Sequence, residues 1–326
     1  PQNEFTGRNV LFQEHSIEEA ADRFGRPFPE VRAAIAETET RLLAERSKRI
    51  RPHLDDKVLT AWNGLMISAF AKGGAILDDP RYTQAARRAS DFLVKRMYDA
   101  ESGVLLRRYR KGDAAIPGFL DDYAFFAQAL LDQYETSFEV RDLDLAIKLT
   151  EKQLELFEDK EYGAFFSSSA GDASLVVRIK DDYDGAEPSG NSIAVLNLLR
   201  LAQVTSRDDF RAAAEKSLQA FAERITTMPS GVPQMLVAYG FSLAKPKQVI
   251  LAGAKSSPEM HEFLRALHAR FLPETIVMFA DEGLSPYNPV IENMKSIDGR
   301  ATAYVCEDFT CKLPITDPSK LDELLQ

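Results

Sequence analysis

Three times in this chain a pair of acidic residues runs straight into a long apolar stretch. The first is His53-Leu54-Asp55-Asp56-Lys57-Val58-Leu59-Thr60-Ala61-Trp62-Asn63-Gly64-Leu65-Met66, which carries the sole tryptophan of the sequence. The second is Gly118-Phe119-Leu120-Asp121-Asp122-Tyr123, and the third runs from Lys180-Asp181-Asp182-Tyr183-Asp184 through Glu187-Pro188-Ser189-Gly190-Asn191-Ser192. These starts recur roughly every sixty-odd residues, so the chain reads as a repeated unit with one chemically rich end. That period is longer than the common helical-repeat periods.

Each unit follows one plan. An apolar helix comes first, then a short link, an amphipathic helix and a glycine-containing β excursion. In the first unit Trp62, Leu65, Met66, Ala69 and Phe70 recur at helical spacing, and Gly73-Gly74 is expected to stop the helix. Asp79-Pro80 restarts the chain as cap and first-turn proline, and Tyr82, Ala85, Ala89, Phe92 and Leu93 form a buried stripe. Gly103 to Tyr109 reads as a strand turned at Lys111-Gly112-Asp113. In the second unit Tyr123–Tyr134 is apolar nearly all round and Asp142–Phe157 is amphipathic. Tyr162–Phe166 and Ser174–Arg178 suggest a β-hairpin around Gly171-Asp172. The third unit pairs Ser192–Val204 with Asp208–Ile225. One doubly buried helix per pair fits an inner ring of helices inside an outer, amphipathic ring, which is an α/α toroid.

The flanking stretches differ. Ser16-Ile17-Glu18-Glu19 is a capping-box start for a helix that ends near Gly25, and Pro29–Arg51 suits a long exposed helix with pairs such as Glu37 with Arg41. Beyond the helix-like Met235–Leu243, Gln248–Gly253 and Thr275–Phe279 read as strands around the helix Pro258–Phe271. This is a small βαβ appendage, to which Tyr304–Cys306 adds a strand. The fold expected is therefore mainly α: a toroid portion over residues 1–245 and an α/β appendage over 246–326.

Composition narrows the function classes. A net charge of −10 and a pI near 5.1 oppose a nucleic-acid footprint, which needs a basic face. No run of eighteen apolar residues exists to span a membrane. The two cysteines, Cys306 and Cys311, lack CxxC spacing, suit a reducing cytoplasmic compartment and read as two reduced structural thiols. His15, His53, His261 and His268 show no metal spacing, and no motif calls for a cofactor. The chain opens Pro1-Gln2-Asn3 without a methionine, so it reads as a processed product or a piece of something longer.

In a toroid, equivalent ends of the inner helices converge on one mouth. Asp55, Asp56, Asp121, Asp122, Asp184 and Glu187 would then share a cavity, with Lys57 neutralising nearby acids. Trp62 and Tyr123 offer flat apolar faces to a sugar ring, and Asn63, Ser189 and Asn191 offer polar contacts. Glycoside chemistry needs two carboxylates of unlike protonation, and epimerisation needs an acid and a base at one carbon. Asp122 and Glu187 are the candidates for that proton transfer. Each aspartate is equally a natural helix cap that complements the helix dipole, and Trp62 equally a core residue. The third start exceeds what one cap uses, because Asp184, Glu187, Ser189 and Asn191 crowd together there.

The stretches Asp55–Leu65, Gly118–Ala124, Glu187–Ser192 and Val305-Cys306 through Cys311-Lys312-Leu313-Pro314 are similar to those of the YyaL-type family, which includes spermatogenesis-associated members. The resemblance implies an (α/α)6 toroid related to N-acylglucosamine 2-epimerases and six-hairpin glycosidases, behind an N-terminal thioredoxin-like domain. Here that domain and the first toroid hairpins are missing, and Asn3–Leu11 looks like a point partway through the toroid. The expected fold is thus an incomplete (α/α)6 toroid. The expected partners are a sugar-like small ligand and the missing thioredoxin-like and toroid part. The alternative is a non-catalytic toroid that serves that thioredoxin-like domain.

Overall fold

The computed structural model describes residues 12–170, 175–307 and 310–325. The expectations at Asn3–Leu11 and at the Gly171-Asp172 turn lie outside the described residues. Two compact units are present, Pro1–Asp56 and Lys57–Gln326.

The first unit holds α1 (Ile17–Phe24) and α2 (Phe28–Ser47). Ser16 Oγ accepts the Glu19 amide and Glu19 reaches back to the Ser16 amide, so the capping box forms as its residues dictate. Gly25 closes α1 in the left-handed conformation at φ 60°. On α2 no described residue is buried.

The second unit contains three helical hairpins. They are α3 (Thr60–Leu77) with α4 (Pro80–Met97), α5 (Leu120–Ser137) with α6 (Val140–Phe157), and α7 (Gly190–Thr205) with α8 (Asp208–Ala220). The helix expected to reach Ile225 breaks at Phe221 and continues as the short α9 (Ala222–Thr227). A further helix, α10 (Pro233–Leu243), follows. α5 packs between α3 and α7, and α7 packs against α10, so these four form the inner row. α4, α6 and α8 back them from outside. The arrangement is the incomplete α/α toroid expected, with α5 and α7 almost wholly buried.

Gly73 and Gly74 do not stop α3. The helix runs on to Leu77, and the left-handed residue is Asp78, at φ 51°. Gly74 serves close packing instead, since a Cβ there would meet the Thr83 side chain at 2.5 Å. Gly64 is a close approach between helix backbones: an added Cβ would lie 2.7 Å from the Phe125 backbone. That glycine lets α3 lie directly on α5.

A three-stranded antiparallel sheet, β1 (Val58–Leu59), β2 (Leu106–Arg110) and β3 (Asp113–Pro117), closes the first hairpin. The second excursion forms no strand among the described residues. Tyr162–Phe166 keeps a single-residue bridge from Phe165 to Glu158, and Ser167 N–H donates to Ile179 O.

The appendage is a sheet of order β5-β4-β6-β7, from β4 (Lys247–Ala252), β5 (Thr275–Phe279), β6 (Thr302–Glu307) and β7 (Thr310–Cys311). β4 and β5 are parallel through α11 (Pro258–His268), as the βαβ reading requires, while β6 and β7 run antiparallel. Alternation along the strands sorts the two faces. Ile250, Ile276, Met278 and Cys306 join the core of the inner helices, and Val249, Leu251, Phe279 and Val305 pack with Met260, Phe263 and Leu267 of α11. The chain ends in α12 (Leu321–Leu325). Cys306 and Cys311 are not separate thiols: the β6–β7 register sets them opposite each other, and they are joined as a disulfide. No helix of the described residues is long and apolar enough to cross a membrane.

Candidate functional site

The N-terminal ends of α3, α5 and α7 meet. Ala61 N–H of α3 donates to Asp122 Oδ1 of α5 at 3.0 Å, and Trp62 Nε1 donates to Glu187 Oε2, just ahead of α7, at 2.8 Å. Gly190 at the start of α7 sits against Leu120 and Asp121, where a Cβ would come within 3.1 Å of both. The convergence expected for the second and third acidic starts is thus present, and Trp62 of the first joins them.

The residues at this junction divide by what they touch. Asp122 is wholly buried. Its Oδ1 accepts the Ala61 amide, while Oδ2 accepts the Phe119 amide and Arg107 Nη1, each at 2.9 Å. Burial and the neighbouring Asp121 charge push its carboxyl up to about 7, against the pull of Arg107 and the two amides. Asp121 is half-buried and faces the same Arg107 guanidinium at 3.2 Å. Tyr123 is no exposed platform. It is buried against Phe157, and its hydroxyl accepts the Leu105 amide at 2.8 Å.

The third start is mostly architecture. Asp184 is buried; Oδ1 accepts the Ser189 amide and Oδ2 accepts the Gln234 and Met235 amides, so it caps α10 from fifty residues upstream. Ser189 is the N-cap of α7 and accepts the Ser192 amide. Asn191, also buried, bridges Phe165 N–H, Phe165 O and Asp181 O. Lys180 pairs with Asp159 at 2.8 Å. Asn63 turns back to donate to Leu59 O.

What remains in the open is narrower. Trp62 is 61% exposed, and Glu187 and Tyr183 are exposed beside the same helix starts. Lys57, with Leu59, Arg107, Arg108, Arg110 and Ile116, lines an open cavity of about 420 Å³. Asp55 and Asp56 belong to the first unit and are exposed. Among the described residues no three His, Cys, Asp or Glu side chains are placed to hold a metal ion.

Two features escaped the sequence reading. Arg107, seen only as a strand residue, ties β2 to both carboxylates of the second start. At the far end of the inner helices, Asp132 is buried beside Arg200 at 2.7 Å, with Ser68 and Lys72 on its other oxygen and Glu135 on Arg200. The signal for this group was available: Asp132 is the one charged residue of the largely apolar run Tyr123–Tyr134, where a charge needs a buried partner.

No protein-family model matches the chain. It is 37% identical to human spermatogenesis-associated protein 20 over 100% of its own length and 43% of that protein's. It is 30% identical to an uncharacterized Caenorhabditis elegans protein, over 99% of this chain and 45% of that one. The chain thus spans less than half the length of these relatives, and they bear out the resemblance drawn from the acidic starts. Among solved structures, the cellobiose 2-epimerase of Spirochaeta thermophila aligns at TM-score 0.42 and 16% identity, covering 51% of this chain and 43% of that one. A family 76 α-mannanase from Bacteroides thetaiotaomicron aligns at TM-score 0.48 and 13% identity, over 67% and 59%.

Proposed function

We propose that this relative of spermatogenesis-associated protein 20 carries a binding site for a sugar-like ligand at the joint mouth of α3, α5 and α7. The observation that carries the reading is the exposed Trp62 ring held beside the exposed Glu187 carboxylate by the Trp62 Nε1–H to Glu187 bond. A sugar offers an apolar ring face and a rim of hydroxyls. Trp62 suits the face and Glu187 the hydroxyls. Proton transfer of the epimerase or glycosidase type would fall to Glu187, the carboxylate open to a ligand. Asp122 then stands behind it as a positioning residue, its oxygens engaged by Ala61, Phe119 and Arg107.

Trp62, the sole tryptophan of this chain, is itself the reporter, and in a longer protein the signal is the part of the emission change that Trp62→Phe removes. Titrating neutral mono- and disaccharides into the chain, and into the full-length protein, is expected to change Trp62 emission saturably. Glu187→Ala is expected to weaken that response. A flat response from both proteins would sink the reading.

A second reading, a non-catalytic toroid serving a thioredoxin-like domain, draws on Asp122 and Asp184, whose oxygens are spent on protein donors. It expects no sugar response and retention of a thioredoxin-like partner in a pull-down. Loss of that retention would count against it.

A further inference from the structure

The Cys306–Cys311 disulfide joins two sulfurs of very unequal access. Cys306 lies in β6, is 2% exposed, and belongs to the core shared with the inner helices. Cys311 lies in the two-residue edge strand β7 and is exposed. A small cavity of about 40 Å³ flanks the pair, with Ser206, Gln248 and Asn288 among its walls.

The bond does little that the sheet does not already do. It closes a loop of sequence separation 5, and short loops restrain an unfolded chain least. The β4–β6 ladder runs over six residue pairs, from Lys247 with Glu307 to Ala252 with Thr302, and both faces of the sheet are packed without help from the disulfide. Only β7 depends on the hairpin, through its pairing with β6 and the Lys312 N–H to Val305 O bond. A disulfide that is open on one sulfur and dispensable to the core is placed for exchange.

We propose that Cys306–Cys311 is a thiol–disulfide exchange site for an external dithiol, attacked at Cys311. A thiolate of the dithiol bonds to Cys311 Sγ. The Sγ–Sγ bond breaks, and its electron pair leaves on Cys306 Sγ, which takes up a proton. The second thiolate of the dithiol then attacks its own sulfur in the mixed disulfide and expels Cys311 as a thiolate, which is protonated in turn. Two electrons and two protons pass to the protein, which ends as two thiols, and the dithiol ends as a disulfide. The reverse order of attack is closed because packing covers Cys306. Reduction frees the β7 edge while the β4–β6 ladder stays.

The experiment treats the folded, oxidised chain with dithiothreitol or with thioredoxin, then alkylates with iodoacetamide and maps the labels by mass spectrometry. The expected result is alkylation of both cysteines with an unchanged far-ultraviolet circular dichroism spectrum. Reaction with both reductants, or with either alone, supports the site and tells a small dithiol from a protein one. In a parallel arm, reduced glutathione followed by an acid quench is expected to leave its adduct on Cys311. The proposal is overturned if neither reductant opens the bond without unfolding the chain, or if the adduct sits on Cys306.

Discussion

Asp122 of α5 accepts the backbone amide of Ala61 in α3 at 3.0 Å, tying together the starts of two inner helices that lie sixty-one residues apart in sequence. Its other oxygen holds the Phe119 amide and Arg107. Asp122→Ala would leave the Ala61 and Phe119 amides without that acceptor and Arg107 with Asp121 alone. A loss of about 3 kcal/mol in unfolding free energy is expected. Asp122→Asn, which keeps one acceptor oxygen, is expected to cost less. Urea denaturation of the two variants checks the order, and equal losses would contradict the role assigned to the clamp.

The same residue imposes a pH dependence. The folded chain holds the Asp122 proton up to about 7, while the unfolded chain releases it near 3.8. Between those values the native state binds more protons, so this contribution to stability falls as pH rises and is lost on passing about 7. The stability difference between wild type and Asp122→Asn is expected to shrink from pH 4 to pH 7. A difference that is constant or grows over that range would refute the assignment.

Two glycines of α3 are expected to respond with opposite sign. Gly64→Ala drives a Cβ to within 3 Å of the Phe125 and Phe126 backbone, which cannot move aside cheaply. It should cost about 2 kcal/mol or more. Gly73 meets nothing within 4 Å, so Gly73→Ala should stabilise the helix by about 0.5 to 1 kcal/mol. Thermal melts of the two variants distinguish the outcomes directly.

The buried charge group at the other end of the inner helices is expected to be costly to break. Burial opposes the Asp132 charge, yet Arg200 and Lys72 hold its carboxyl below the usual value, while burial raises Glu135. Arg200→Met removes the cation that the two acids share and leaves Asp132 with Lys72 and Ser68 on one oxygen only. A loss on the order of 3 to 5 kcal/mol is expected. Adding Asp132→Asn to it should recover part of that loss, because the charge left behind is then smaller. A double variant no more stable than the single one would show that the charges are not coupled.

Much of this molecule was legible in its residues because helix signals are local. Capping at Ser16 and Asp79, apolar spacing along α3, α5 and α7, and the strand–helix–strand pattern from Lys247 to Phe279 each depend on neighbours a few residues away. The repeat of acidic starts carried the toroid, since one doubly buried helix per pair has few other ways to cover its apolar faces. What each acid does was not local. Asp184 looks like part of a catalytic cluster until the amides of Gln234 and Met235 arrive from fifty residues downstream to occupy its oxygen. Asp122 looks like a proton donor until Ala61 and Arg107 enclose it, and Cys306 and Cys311 look like separate thiols until the β6–β7 register faces them. Glu187 and Trp62 alone gained by folding, for their hydrogen bond across 125 residues sets both at an exposed mouth. Residue type sets which hydrogen bonds a side chain can make, whereas only chain closure in three dimensions decides which partners reach it first.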